Sequence, residues 1–369
     1  MTRDDPPKSR PKPPLWPWWL GLAVIALGVL VWQRAPRPPP GESAVRSGQK
    51  ESSEKLAPNA DTQPRAVPSF TLAARDAQAP PSGLRAEVPW GPNGLGRGPS
   101  DDGYPGGPNS FAVGPDGSTW VLDQFNHRMV RLGPDGTILE TRPVKLESPA
   151  DIALGKDGSM AVIDRTRQNQ VELFDAQGRS RGLLPLPGAV AGQPSELTRV
   201  FVQKDKVYAQ RGEGGPLIPL GGMDGTPLAG ADVNGQFSRD GKLLISAGIT
   251  NYDQGRVWVS GAAPDSQAHL FTREANLGNP VEQILLLDSD TSGMIYFVVK
   301  ATFDLEGGAS TLVLCIDGNA RGTITRMFSL PYPHDPLDTF RKFDVSPEGG
   351  LVAAEYTESG VAYRSHSCR

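Results

Sequence analysis

The chain has 369 residues, with 43 Gly, 36 Pro, two Cys and four His, and a formal net charge of −4. Residues 1–82 hold 11 Lys/Arg against 7 Asp/Glu, whereas residues 83–369 hold 26 against 34. The acidic larger part excludes a nucleic-acid surface and argues against docking on anionic lipid. Two cysteines are too few for a zinc ribbon, and His127, His269, His334 and His366 show no metal-type spacing.

Residues 1–14 are polar and basic and are expected to form a short cytoplasmic tail. Residues 15–32, LWPWWLGLAVIALGVLVW, are 18 uncharged residues. At about 1.5 Å per residue they span about 27 Å as a helix, close to the hydrocarbon thickness of a bilayer. Trp16, Trp18 and Trp19 mark one end and Trp32 the other, as interfacial aromatic belts do. The exit Val-Trp-Gln-Arg lacks the small residues of a cleavage site, so the expectation is an uncleaved signal anchor. Basic residues flank both sides almost equally. A short tail inside and the bulk outside is the favoured orientation.

Residues 33–82 carry 9 Pro among Ser, Gly, Ala, Gln and charges. This composition cannot bury a core and reads as a disordered, semi-extended linker. At polyproline rise it reaches on the order of 150 Å.

From residue 108 a unit repeats. PNSFAVGPDGSTWVLDQFNHRMVRLGPDGTILE is followed by SPADIALGKDGSMAVIDRTRQNQVELFDAQG. Gly117 matches Gly158 and Asp123 matches Asp164, both 41 residues on. Each unit has a short apolar strand, an Asp-Gly turn, a strand ending in Asp, a polar loop and two further strands. Asp-Gly between alternating apolar runs marks a hairpin, and four strands every 40–50 residues mark a propeller blade. Weaker copies turn near 205, 241, 293 and 349, giving an all-β six-bladed β-propeller over 83–369. The last copy ends after its third strand, GVAYRSHS. An unpaired edge is a liability, so LRAEVPWG, residues 84–91, is expected to supply the missing outer strand and close the ring.

These residues resemble the NHL repeat, a six-bladed propeller module. Trp120–Asp123 and Asn126-His127-Arg128 sit where that family has its strand, Asp and Asn-His motif. The second unit has Gln168-Asn169-Gln170 instead. His127 is read as structural, because Asp123 recurs as Asp164 in a unit without the histidine, whereas an acid–base pair needs both partners. The resemblance implies two classes of function. One is a binding module; the other is a calcium- or zinc-dependent hydrolase or lyase of the lactonase type, with its site in the central channel. Hard cations want a ring of oxygen ligands. Counting from the start of each inner strand gives Asn109, Asp151, Arg199, Asn234, Glu282 and Lys342. Asp151, Asn234 and Glu282 are the candidate ligands, opposed by Arg199 and Lys342. No nucleophile elbow, phosphate loop or His-Glu-x-x-His is present.

Two further features stand out. The connection LPYPHDPLDTF, 330–340, offers Tyr332, His334 and Asp335 as a binding rim. Cys315 and Cys368 fall on adjacent blades, so a disulfide in an oxidising compartment and two independent thiols are both open. The sequence-based expectation is a single-pass protein of a bacterial inner membrane whose periplasmic propeller binds or scaffolds envelope proteins or glycans, without a cofactor. The lactonase-type enzyme is the alternative.

Overall fold

The computed structural model describes residues 69–71, 79–99, 105–302, 309–332 and 339–369. The described residues all belong to the unit Pro64–Arg369. The expected tail and anchor lie outside the described residues, as does the linker up to residue 68. Among the described residues no helix is long and apolar enough to cross a membrane.

The unit Pro64–Arg369 is a six-bladed β-propeller. Blade 1 is Ser110–Val113, Thr119–Asp123, Arg128–Leu132 and Ile138–Pro143, from channel to rim. Blade 2 is Asp151–Leu154, Met160–Asp164, Gln170–Phe174 and Ser180–Pro185. Blade 3 is Leu197–Gln203, Lys206–Arg211 and Leu217–Gly222. Its outer position is filled by an irregular segment that bridges at Pro227 and Val233. Blade 4 is Gln236–Phe237, Leu244–Asn251, Arg256–Ala262 and His269–Asn276. Blade 5 is Val281–Ser289, Met294–Thr302, Ala309–Asp317 and Thr323–Pro331. Blade 6 is Phe343–Val345, Leu351–Tyr356 and Gly360–His366, completed by Ser82–Pro89 from the other end of the sequence.

The hydrophobic pattern follows from this stacking. An inner strand is covered on both faces by neighbouring blades, so SFAV and TWVLD are buried throughout. An outer strand meets solvent on one face, so ILETRP alternates between half-buried and exposed. Apolar clusters therefore sit between blades: Phe111, Val121 and Tyr363 join blades 1 and 6, and Val259, Phe271 and Phe297 join blades 4 and 5. Blades 3 and 4 meet with more polar contacts. Gln210 Nε2 donates to Gln236 Oε1 at 3.0 Å, and Ala247 N donates to the Gly214 carbonyl at 3.3 Å.

All six turns read from the sequence join first to second strands. Gly117 and Gly158 hold φ of 76° and 83°, a region glycine enters without a Cβ penalty. The closing strand pairs antiparallel with Gly360–His366, placing Ala86 opposite Tyr363 and Val88 opposite Val361. Strand pairing runs to Pro89; Trp90 adds a bond from its backbone N–H to the Ser359 carbonyl at 3.1 Å and donates its indole N–H to the Thr357 carbonyl at 2.9 Å. A disulfide joins Cys315 on the third strand of blade 5 to Cys368 just beyond blade 6, with Cα atoms 5.8 Å apart.

One feature departs from the expected linker. Ser69–Thr71 forms a strand parallel to Glu274–Asn276 on the rim of blade 4. The Ser-Phe-Thr run has strand propensity despite its Pro-rich surroundings, and it covers an edge that would otherwise stay open.

Candidate functional site

The repeated aspartates organise loops. Asp123 is fully buried at the end of its strand, where it accepts from Gly96 N, Asn126 Nδ2 and Arg128 Nε at 2.8–3.0 Å. Asp164 accepts from Ser148, Thr166 and Arg167 backbone N–H groups at 2.9–3.0 Å. His127 ends the intervening loop in the left-handed region with φ 46°, and Asn169 holds the same place in blade 2 with φ 52°. Their carbonyls accept equivalent bonds from Val144 and Leu186. His127 thus occupies a conformational position that asparagine fills as well, and its Nδ1 lies 3.2 Å from the Leu146 carbonyl.

The charges converge in the channel. Arg199, Arg239 and Arg341 meet Asp151, Asp288 and Asp344. Arg341 contacts Asp151 at 2.6 Å and Asp344 at 3.9 Å. Arg239 contacts Asp288 at 3.0 Å and Asp344 at 2.9 Å, and Arg199 reaches the same pair at 3.3 and 3.7 Å. The side chains of Arg199 and Arg341 are 3% and 6% exposed, while that of Arg239 is 23% exposed. Burial works to raise Asp288, but the Arg239 and Arg199 guanidiniums reverse this and hold it below the usual carboxylate range. Burial likewise works to lower Arg199 and Arg239, and their carboxylate partners leave both raised.

The carboxylates also join blades. Asp151 accepts from Ser110 Oγ in blade 1 at 2.6 Å and from Val200 N in blade 3 at 2.8 Å. Asp344 accepts from Val113 N at 2.7 Å, tying blade 6 to blade 1. The network therefore fills the channel and locks the ring.

The channel has two different mouths. At the turn end lies a cavity of about 310 Å³ whose walls include Val113, Leu154, Phe201 and Phe237. The three arginines, Asp288 and Asp344 also line it. At the other end a cavity of about 370 Å³ is lined by Thr198, Glu213, Tyr252 and Glu282. Burial pushes the Glu213 carboxyl up to about 7 against the pull of Arg199 and Arg341. Its Oε2 is buried without a hydrogen-bond partner.

The candidate cation ligands do not come together. Asp151 lies in the channel, already bonded to Arg341. Asn234 is exposed, and exposed Glu282 is held by Lys300 Nζ at 2.5 Å and Thr302 Oγ1 at 2.7 Å. Among the described residues no group of acidic, His or Cys side chains forms a cation site. Among the described residues, Asp151, Asp288 and Asp344 are matched by guanidiniums, so these carboxylates do not make a donor set for calcium or zinc. Of the rim candidates, Tyr332 lies between Lys300 and Lys342, whose Nζ atoms sit 4.7 and 4.8 Å from its ring centroid. His334 and Asp335 lie outside the described residues.

Counting from strand starts missed Gln236, Asp288 and Asp344. Counting back from the turn finds them. Gly114, Gly155, Ser238, Asp290 and Ser346 each open a turn through their backbone N–H. Two residues earlier stand Ala112, Ala153, Gln236, Asp288 and Asp344. Blade 5 misleads most, because its nine-residue inner strand carries two register shifts and starts far from the channel network.

No family model matches the chain, and no curated protein matches it. Solved structures do. Hydrazine synthase of Kuenenia stuttgartiensis aligns at 14% identity over 66% of this chain and 72% of that one, with a TM-score of 0.45. The WD40 repeats of RRP9 align at 10% identity over 79% and 100%, with a TM-score of 0.43. Virginiamycin B lyase from Staphylococcus aureus aligns at 10% identity over 80% and 97%, with a TM-score of 0.39. No activity passes from these likenesses to this chain. Its class, a six-bladed propeller, rests on its own strand pairing.

Proposed function

We propose that this chain is an NHL-type binding module tethered to a bacterial inner membrane by residues 15–32, whose periplasmic propeller scaffolds envelope proteins or glycans. The observation that carries the reading is the channel network. A metal-dependent hydrolase of the lactonase type has to offer an uncompensated ligand set in its channel. Here Asp151, Asp288 and Asp344 are each bound by arginine and fasten neighbouring blades. Such a channel makes a rigid ring whose outer faces and loops are left to meet partners. The Cys315–Cys368 disulfide suits an oxidising compartment. A tether adds effective concentration toward membrane-bound partners.

The test is in-cell crosslinking of the full-length protein, followed by solubilisation, capture and mass spectrometry. One or two envelope proteins recovered near stoichiometry are the expected result. Turnover of a lactone or ester that is abolished by Asp151→Asn, with no partner recovered, would overturn it. Thiol labelling of intact cells before and after reduction tests the compartment; thiols that label without reduction would count against export.

A further inference from the structure

The turn-end cavity has a composition that the scaffold reading leaves unused. Its walls are apolar on the side of blades 1 to 3, through Val113, Leu154 and Phe201. Its charged side carries Arg199, Arg239 and Arg341 together with Asp288 and Asp344, and exposed Lys156 stands at its rim; with Asp151 on Arg341 counted, this leaves one cation in excess among these residues. A hydrogen bond from Thr291 Oγ1 to the Pro347 carbonyl, at 2.6 Å, closes the edge between blades 5 and 6.

The hydrogen-bonding capacity there is unbalanced. Three guanidiniums present about fifteen N–H donors, and three carboxylates offer about twelve lone-pair positions. Four of those positions are occupied by Ser110 Oγ and by the backbone N–H groups of Val200, Val113 and Ser289. Roughly eight remain, and the Leu287 carbonyl accepts from Arg199 Nη1 at 3.1 Å, so about nine positions meet about fifteen donors. The Nε atoms of Arg199, Arg239 and Arg341 are enclosed without an acceptor, and the donors within reach of the cavity belong chiefly to Arg239, whose side chain is 23% exposed. A guanidinium N–H without an acceptor is unfavourable away from bulk water, so the site favours a guest that brings acceptors. A cation or a further donor would worsen the imbalance. The volume of about 310 Å³ is at the lower end for small-molecule sites and holds no folded segment.

We infer that this cavity binds a small organic carboxylate, its acid group on the Arg199–Arg239–Arg341 side and its apolar body against Phe201 and Leu154. Guanidinium forks match a carboxylate in a bidentate manner. The inference rests on the reading of the propeller as a binding module and adds the chemical class of its ligand.

The experiment is calorimetric titration of the full chain in nanodiscs with sodium phenylacetate, with empty nanodiscs as blank. Phenylacetamide and phenylethylamine serve as neutral and cationic isosteres. The expected result is binding of the carboxylate, at least about tenfold weaker binding of the amide and none of the amine, one charge-assisted bond being the difference. Arg239→Gln, at the most accessible of the three arginines, should weaken phenylacetate about ten- to a hundredfold, and Arg239→Lys should restore part of it. Lys156→Glu lies at an exposed position that does not threaten folding and should weaken it about two- to fivefold. Equal binding of acid and amine, no binding of the acid, or an affinity unmoved by Lys156→Glu would overturn the inference. An envelope partner captured without any carboxylate binding removes this site and leaves the module. Carboxylate binding accompanied by ester turnover removes the module and leaves the site.

Discussion

Blades 1 and 2 set Ala112 and Ala153 against the channel, and blades 5 and 6 set Asp288 and Asp344 at the equivalent places before their turns. The first pair keeps the repeat: an Asp-Gly turn, a strand ending in a loop-organising Asp, and a left-handed residue before the third strand. The second pair has lost those marks and is held by other means. A disulfide and a strand from the other end of the sequence join there, and buried ion pairs cross the channel. Where the repeat is intact, local hydrogen bonds suffice. Where it has diverged, long-range contacts carry the ring and its charge.

This contrast is broken most severely at Asp344. Asp344→Ala removes the acceptor of Val113 N and leaves three channel guanidiniums, two of them buried, sharing two carboxylates. Breaking a buried pair costs about 3–5 kcal/mol, so chemical denaturation should show a loss of that size. A loss below about 1 kcal/mol would mean that the network is well hydrated. Next comes Cys315→Ser with Cys368→Ser. For a separation of 53 residues the chain-entropy model gives about 4 kcal/mol, and about 2–4 is the usual range. The double variant should unfold at lower denaturant, and wild type should match it once reduced.

A smaller effect concerns the other mouth. Glu213 has its folded value raised to about 7, above an unfolded value of about 4.3. Folding therefore favours its neutral form. That contribution is full below the unfolded value and is lost as pH rises through about 7. Glu213→Gln stays neutral throughout, so it should melt clearly higher than wild type at pH 8, less so at pH 5 and equally near pH 3, at fixed ionic strength. The reverse order at pH 8 would show the Glu213 carboxylate to be stabilised by Arg199 and Arg341. The smallest effect belongs to His127→Asn, expected to lie within about 0.5 kcal/mol of wild type, because Asn169 already fills that place in blade 2. A larger loss would assign the imidazole a role beyond the left-handed turn.

Much of the architecture was legible because its signals are local. An Asp-Gly pair bends the backbone wherever it stands, and alternation over five residues reports one exposed face. The six turns and the closing strand could be placed on that basis, and so could the recurrence of Asp123 as Asp164 at the strand end. The channel was legible only in part. Asp151 and Arg199 were found from their position at strand starts. Asn234 and Glu282 were misplaced because bulges and unequal strand lengths uncouple the start of a strand from its depth in the channel. Ser69–Thr71 was hidden for a related reason, since three residues with strand propensity count for little until an open edge is there to receive them.

The sequence alone determined the number of blades and the turn that begins each one, since both follow from backbone preference and hydrophobic period within some 40 residues, and it determined the join between the two ends because the last repeat is one strand short. The tertiary structure decided which charges meet. Asp151 and Arg341 stand 190 residues apart, and Arg199 and Asp288 stand 89 apart. Nothing in either neighbourhood names the other. Closing the ring brings them within hydrogen-bond reach in a space with little water, where a guanidinium and a carboxylate acquire their partners by position alone.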